Sequence, residues 1–428
     1  MKRILLYSIG TVSAMLLWAW ITFLATEGGW YHRPIADQPT SQAFQKAVEV
    51  EINKQYTGNF AMAVMRHGNI EYETFYSKGR PVNSNTVFQV ASLSKWVSAF
   101  GIMKLVEDGK IDLDAPVSQY LTRWKLPPSE YNNEAVTVRR LLSHTAGLTD
   151  ELGYSGFEIG SAVQPIEQSL TKALDADEGV SGTVLVGIEP GSEFKYSGGG
   201  YTLLQLIVEE VSGQTFSDYM KENIFRPLHM IHSTYTWSDS TSSNLDLVEF
   251  YNSNGTKAAH YQYTSLAATS LYTSLSDLEI FFQVFLERKN SETIGRNVLK
   301  PETIKMMRSP HAQTMGEDIW GLGTMLFTTT VNGDFIIGHD GKSTPPINTA
   351  VRLNPETGDG IIVLETGNPL LATKLASEWV FWKTGKVDTL LFTMETSRMI
   401  TIIGIGWAFI VLLFIGFLIS KRKQKGKV

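Results

Sequence analysis

Phe88 to Leu113 reads FQVASLSKWVSAFGIMKLVEDGKIDL. A strand-like run gives way here to a long apolar helical pattern, and at the junction Ser92 stands three residues before Lys95. On a helix, positions i and i+3 share a face. A serine at a helix N-terminus feels the positive end of the dipole, which stabilises developing negative charge. A lysine held away from water can accept the hydroxyl proton. The same residues also read as a helix cap followed by a surface lysine, and spacing alone does not choose. Ser169–Lys172, Ser192–Lys195 and Ser420–Lys423 repeat it. Ser169 lies in a polar helical stretch, Ser192 follows the Pro190-Gly191 turn, and Ser420 ends an apolar run. Only Ser92 stands where an extended run meets an apolar helix.

Two further stretches bear on the choice. In PGSEFKYSGGGYTLLQLIVEEVSG, Tyr196-Ser197-Gly198 follows a short strand pattern and precedes another helix, with three glycines that let backbone approach closely. In IIGHDGKS, His339-Asp340-Gly341 closes a strand pattern. Around them, NFAMAVMRHGNIEYETFYS predicts a hairpin turning at His67-Gly68-Asn69. The stretch from Asp112 to Thr236 is mostly helical pattern broken by Gly and Pro. WGLGTMLFTTT, DFIIGHD, NTAVRLN and GDGIIVLET predict late antiparallel strands, and LATKLASEWVFWKT a closing helix. For the hairpin to bury a face, it joins the late strands in one sheet. Helices cover that sheet, and the middle of the chain makes a second, mainly helical lobe.

Taken together, Ser92-x-x-Lys95, Tyr196-x-Gly198 and His339-x-Gly341 resemble, in order, the three motifs of class C β-lactamases and penicillin-binding-protein-like serine hydrolases, a group that includes D-Ala-D-Ala carboxypeptidase B. Leu141–Leu148 (LLSHTAGL), Gly200–Phe216 and Ile224–Met230 match family stretches too. The resemblance covers about Ala43 to Lys383. It implies an α+β fold of the β-lactamase/transpeptidase type, an antiparallel sheet flanked by helices plus a mainly helical lobe. It further implies that Ser92 is the acylated nucleophile, Lys95 its proton partner and Tyr196 the base and acid serving the leaving group. His339, Gly341, Lys342 and Gly198 would contact substrate, with backbone N–H groups of Ser92 and about Lys342 as the oxyanion hole. The chain departs from the family in two places. Gly198 stands where the Tyr-x-Asn motif has its Asn, which argues against efficient β-lactam turnover. GKSTPPIN replaces a commonly Gly-rich stretch, so Pro345 and Pro346 stiffen that rim.

The ends carry a separate message. Ile4–Ala25 is uncharged and long enough to span a bilayer at about 1.5 Å per residue. It reads as an anchor or a signal sequence within residues 1–26, followed by a linker over 27–40 and the hydrolase domain over 41–390. Met399–Ser420 is a second uncharged span, followed by the basic tail 421–428. Lys and Arg at both ends place both termini in the cytoplasm, and the domain between them outside it, on a bacterial cell membrane.

The 428 residues are 43% apolar and 19% charged, an ordinary globular balance. The net charge of −6 gives no basic footprint for nucleic acid. The absence of Cys excludes disulfides, thiolate catalysis and Cys-ligated zinc. His229 and His232 are too closely spaced for a helical metal pair, and there is no G-x-S-x-G, Walker loop or H-E-x-x-H. His144 reads as packing. The expectation is a membrane-anchored extracytoplasmic serine hydrolase without metal or cofactor, acting on a small-molecule or peptide amide or ester, with membrane lipid as its other partner. A β-lactamase and a non-catalytic penicillin-binding or cell-wall sensor remain the alternatives.

Overall fold

A computed structural model describes residues 2–150, 154–238, 244–287 and 293–425. The chain divides into two compact units: Val48–Ala376, and the two chain ends together, up to Ala47 and from Ser377.

The larger unit is built on an eight-stranded antiparallel sheet. Its strands are β1 (Phe60–Arg66), β2 (Asn69–Tyr76), β3 (Ala312–Thr314), β4 (Glu317–Trp320), β5 (Met325–Thr329), β6 (Phe335–Ser343), β7 (Ile347–Asn354) and β8 (Asp359–Thr366). Their order is β2-β1-β8-β7-β6-β5-β4-β3, so the early hairpin does join the late strands through β1 and β8. The strands β1, β7 and β8 are buried along almost their whole length; β1 and the middle of β8 are accordingly apolar, whereas β7 buries Asn348, Thr349 and Arg352 among its apolar residues. The edge strand β2 instead carries exposed Glu71 among its polar positions, which blunts that edge.

The helix Ser94–Glu107 is buried at nearly every position, so it shows no amphipathic stripe. Its Trp96 stacks on Phe285 at 4.9 Å and meets Phe281 edge-on at 5.0 Å. It ends at Asp108-Gly109, where the Lys110 and Gly109 N–H groups cap the carbonyls of Leu105 and Val106. The middle of the chain is less helical than its pattern predicts. Its longest helix is Gly198–Ser212, and Asp112–Pro190 is mostly loops around short turns such as Val138–Leu142 and Ile166–Thr171.

One buried carboxyl against the sheet gives a pH prediction. Glu279, on the Leu275–Gln283 helix that packs on β1 and β8, has Oε1 buried without a partner among the described residues. Burial, with Glu73 close by, pushes its carboxyl up to about 8. A folded-state value above the unfolded one means the native state holds the proton more tightly. Stability is then greatest below about pH 4 and falls as pH rises through 8. Glu279→Gln removes that slope, so its stability relative to the parent rises by about 3–4 kcal/mol from pH 5 to pH 8, read as a larger difference in melting temperature at pH 8.

In the second unit, Tyr7–Glu27 and Thr389–Lys421 are long and apolar enough to cross a membrane by length and composition. The C-terminal helix runs Thr389–Lys425, beginning at Thr389 rather than Met399, and residues 426–428 of the basic tail lie outside the described residues. The two helices pair antiparallel: Tyr7 meets Phe417 at 5.1 Å, Trp18 Nε1 donates to the Ile402 carbonyl at 3.2 Å, and Phe23 meets Phe392 at 5.6 Å.

Candidate active site

Ser92 sits in the tight turn Ala91–Leu93, between the short strand Val87–Gln89 and the Ser94–Glu107 helix. It is not a helix cap; that position belongs to Leu93, which makes no side-chain capping bond. Ala91 takes φ 48°, a left-handed backbone that a residue with a Cβ adopts at a cost of about 1–2 kcal/mol. The turn is held from the sheet side. Thr349 Oγ1 donates to the Val90 carbonyl at 2.9 Å, and a Cβ at Gly341 would stand 2.1 Å from that same oxygen. Glycine at 341 therefore lets β6 pass against the Ser92 turn. Gly341→Ala forces the two apart, and we expect a loss of about 1–3 kcal/mol in urea unfolding together with slower chemistry at Ser92.

Lys95 is 2% exposed. Its Nζ donates to the Ala268 carbonyl at 2.8 Å and to Ser92 Oγ at 3.3 Å, and lies 4.9 Å from the centre of the Tyr196 ring. The surface-lysine reading of the motif is thereby removed.

Tyr196 follows an irregular segment; the short strand expected just before it does not form. What fixes it is the helix behind. Ser197 caps the Gly198–Ser212 helix, its Oγ accepting from the Gly200 N–H at 2.8 Å. The same hydroxyl donates to Asp150, whose other oxygen accepts the Gly199 N–H at 2.8 Å. A carboxylate 1% exposed at a helix N-terminus is stabilised there by the free N–H groups and the dipole.

His339 lies 1% exposed beneath the cleft wall and does not line it. Its Nδ1 donates to the Asp340 carbonyl at 2.7 Å. Burial, then the Lys95 charge, draws its imidazole down to about 3, Arg352 adding a little, so it is neutral at pH 7. Gly341 is likewise buried. The exposed cation on this strand is Lys342, which together with Ser92, Lys95, Tyr196, Gly198 and Pro345 lines a cleft of about 890 Å³. Of the seven catalytic and substrate-contacting residues that the resemblance implies, five meet in one cleft while His339 and Gly341 support its wall. His229 and His232 lie elsewhere: His229 ends a helix at φ 61°, and His232 is tied to Asp277.

The beta-lactamase family model matches residues 42–378, most of the chain. The chain belongs to the beta-lactamase family. It is similar to Protein flp of Staphylococcus aureus (strain N315), 22% identical over 78% of this chain and 65% of that one. It thus spans just under two thirds of the length of this curated relative. Penicillin-binding protein 4* of Bacillus subtilis (strain 168) is 36% identical over 39% of this chain and 34% of its own. Among solved structures, the octameric penicillin-binding protein homologue from Pyrococcus abyssi superposes with TM-score 0.66 at 25% identity, covering 81% and 78% of the two chains. The β-lactamase/transpeptidase-like fold with its antiparallel sheet and helices follows from these matches.

Three contributors escaped the sequence. Asp150 sits in no motif, and only the fold brings it to the Ser197 cap. Ala268 contributes a main-chain oxygen, which no side chain announces. His144 was read as packing, although it stood inside a family stretch, the one available signal.

Proposed function

We propose that this protein is a membrane-anchored serine hydrolase that cleaves an amide or ester outside the cytoplasm through an acyl-enzyme on Ser92. The observation that carries this reading is Ser92 Oγ at 3.3 Å from a buried Lys95 Nζ, beneath Tyr196, at the wall of a large open cleft. Ser92 Oγ attacks the substrate carbonyl while the Lys95–Tyr196 pair takes its proton. The carbonyl oxygen becomes an oxyanion between the Ser92 and Lys342 N–H groups, each worth about 3 kcal/mol. As the C–N or C–O bond breaks, Tyr196 returns the proton to the leaving group. Water then attacks the acyl carbon by the reverse route and restores Ser92.

The third motif presents a neutral, buried His339, so positive charge reaches the substrate from Lys342 at the rim. Gly198 offers no side-chain amide to the acyl donor. The name of the Bacillus subtilis relative places β-lactams among the compounds to test, but loss of one such contact predicts nitrocefin turnover about a hundredfold slower than that of a simple activated ester. The antiparallel pair of apolar helices fits two membrane anchors with both termini on one side. The lysines flanking them favour the cytoplasm for that side.

The test is a substrate panel with the full chain in detergent: p-nitrophenyl esters, D-aminoacyl amides and nitrocefin, beside Ser92→Ala. Ester or amide turnover that vanishes in the variant supports the reading. Nitrocefin as the best substrate would replace it with a β-lactamase, and silence on every compound with a folded protein would replace it with a binding module.

A further inference from the structure

His144 occupies a place that packing alone does not explain. It follows the Val138–Leu142 turn at φ 57°, left-handed for a residue with a Cβ. Its carbonyl accepts the N–H of Lys195 at 2.8 Å, and its ring Nδ1 accepts the N–H of Ser197 at 3.1 Å. The residues on both sides of Tyr196 are thus held by one histidine. Its ring also lies against the phenol ring, with centroids 4.4 Å apart and planes inclined by 32°.

The clamp is itself fixed. The Leu142 carbonyl, two residues before His144, accepts from Gly323 N–H at 3.0 Å, Trp320 Nε1 at 3.2 Å and Tyr201 Oη at 3.3 Å. Trp320 stands edge-on to His144 at 4.8 Å and to Tyr196 at 5.7 Å. An imidazole that accepts at Nδ1 carries its proton on Nε2, and that Nε2 is buried without a partner among the described residues. A ring kept only to fill space would not leave a donor unmade, since an unpartnered buried polar group is costly. Burial, with Lys95 and His339 near, holds the imidazole well below its ordinary range, so the acceptor at Nδ1 persists at neutral pH.

We propose that His144 is a positioning residue that sets where the Tyr196 phenol stands over Ser92 and Lys95. It does so by gripping the backbone on either side of the tyrosine and by stacking on its ring. This rests on the reading of Tyr196 as the proton relay. His144 itself touches no reacting atom; it acts through Tyr196 alone. Displacements of about 1 Å in such a group cost about a hundredfold in rate.

The test is a double-mutant cycle on the full chain in detergent, with p-nitrophenyl ester turnover and fluorophosphonate labelling as rates. H144A lowers both by about a hundredfold, and H144N recovers about tenfold of that. Asn Oδ1 can take the Nδ1 place, and Asn tolerates the left-handed backbone. In a Y196F background, H144A has no further effect beyond about twofold, because what it positions is gone. The same factor in both backgrounds would overturn the proposal, as would native rates in H144A. Should H144A not fold, H144N carries the cycle, since it removes the ring alone. Amide exchange over residues 194–200 is measured in parallel. Faster exchange there in H144A, with the melting temperature within a few degrees of the parent, supports the clamp, and unchanged exchange overturns it. If the parent neither turns over esters nor labels, the hydrolase reading fails, while the exchange result still decides whether His144 holds the Tyr196 segment.

Discussion

Lys95→Ala lowers the rate at which Ser92 is acylated by about a thousandfold or more, in a protein that still folds. Lys95 Nζ stands beside Ser92 Oγ as the amine that takes its proton, and its removal leaves a hydroxyl with no adjacent base. General acid–base groups contribute about 10²–10⁴-fold, and in sites where groups act as one unit a single deletion removes most of the effect. Left without the lysine, the Ala268 carbonyl is a buried acceptor without its donor, which costs about 1–3 kcal/mol, less than the whole stability of an ordinary domain. Stopped-flow labelling with an activated ester reads the rate directly. Labelling at the parent rate would make Lys95 a structural cation and end its role in the chemistry.

Asp150→Ala has the second large effect, and it strikes stability and activity together. Its two oxygens receive the Ser197 hydroxyl and the Gly199 N–H in a fully buried place. Truncation leaves two buried donors unmade at about 1–3 kcal/mol each, so unfolding free energy drops by about 2–5 kcal/mol. The Ser197 cap loosens with it, and Tyr196, the next residue along, loses its footing. We expect the urea midpoint to fall and turnover per folded molecule to fall further than occupancy of the native state explains. Asp150→Asn keeps one acceptor and loses about half as much. A variant with the parent midpoint would show that the cap does not need this carboxylate.

How far the sequence carried the account depended on what each residue answers to. The strands β1 and β8 were legible because both of their faces are buried, leaving the apolar runs FAMAVM and IIVL between turn signals, and β7 was legible by its length and place between turns despite the polar residues it buries. The Ser94–Glu107 helix was legible as a helix by length, and its lack of a polar face announced that it is central. Ser92, Lys95 and Tyr196 were legible as chemistry because residue type and order survive in one dimension. The Tyr196 approach was not: the stretch before it reads as a short strand, but Lys195 and Ser197 give their N–H groups to His144 and not to a neighbouring strand. The burial of His339 was hidden too, since a strand pattern does not say which neighbour covers an end residue. The cleft-facing cation of this strand proved to be Lys342, three residues on. The terminal helix starts earlier than its uncharged span because the Thr389–Arg398 segment, though polar in part, continues the same helix.

The central claim is that Ser92 is an activated nucleophile. Intact mass of the full chain, taken in detergent after exposure to a fluorophosphonate, tests it most directly when run beside Ser92→Ala. The account predicts a single adduct on the parent and none on the variant. A folded parent that takes up no label, or a variant that takes up as much as the parent, would contradict it.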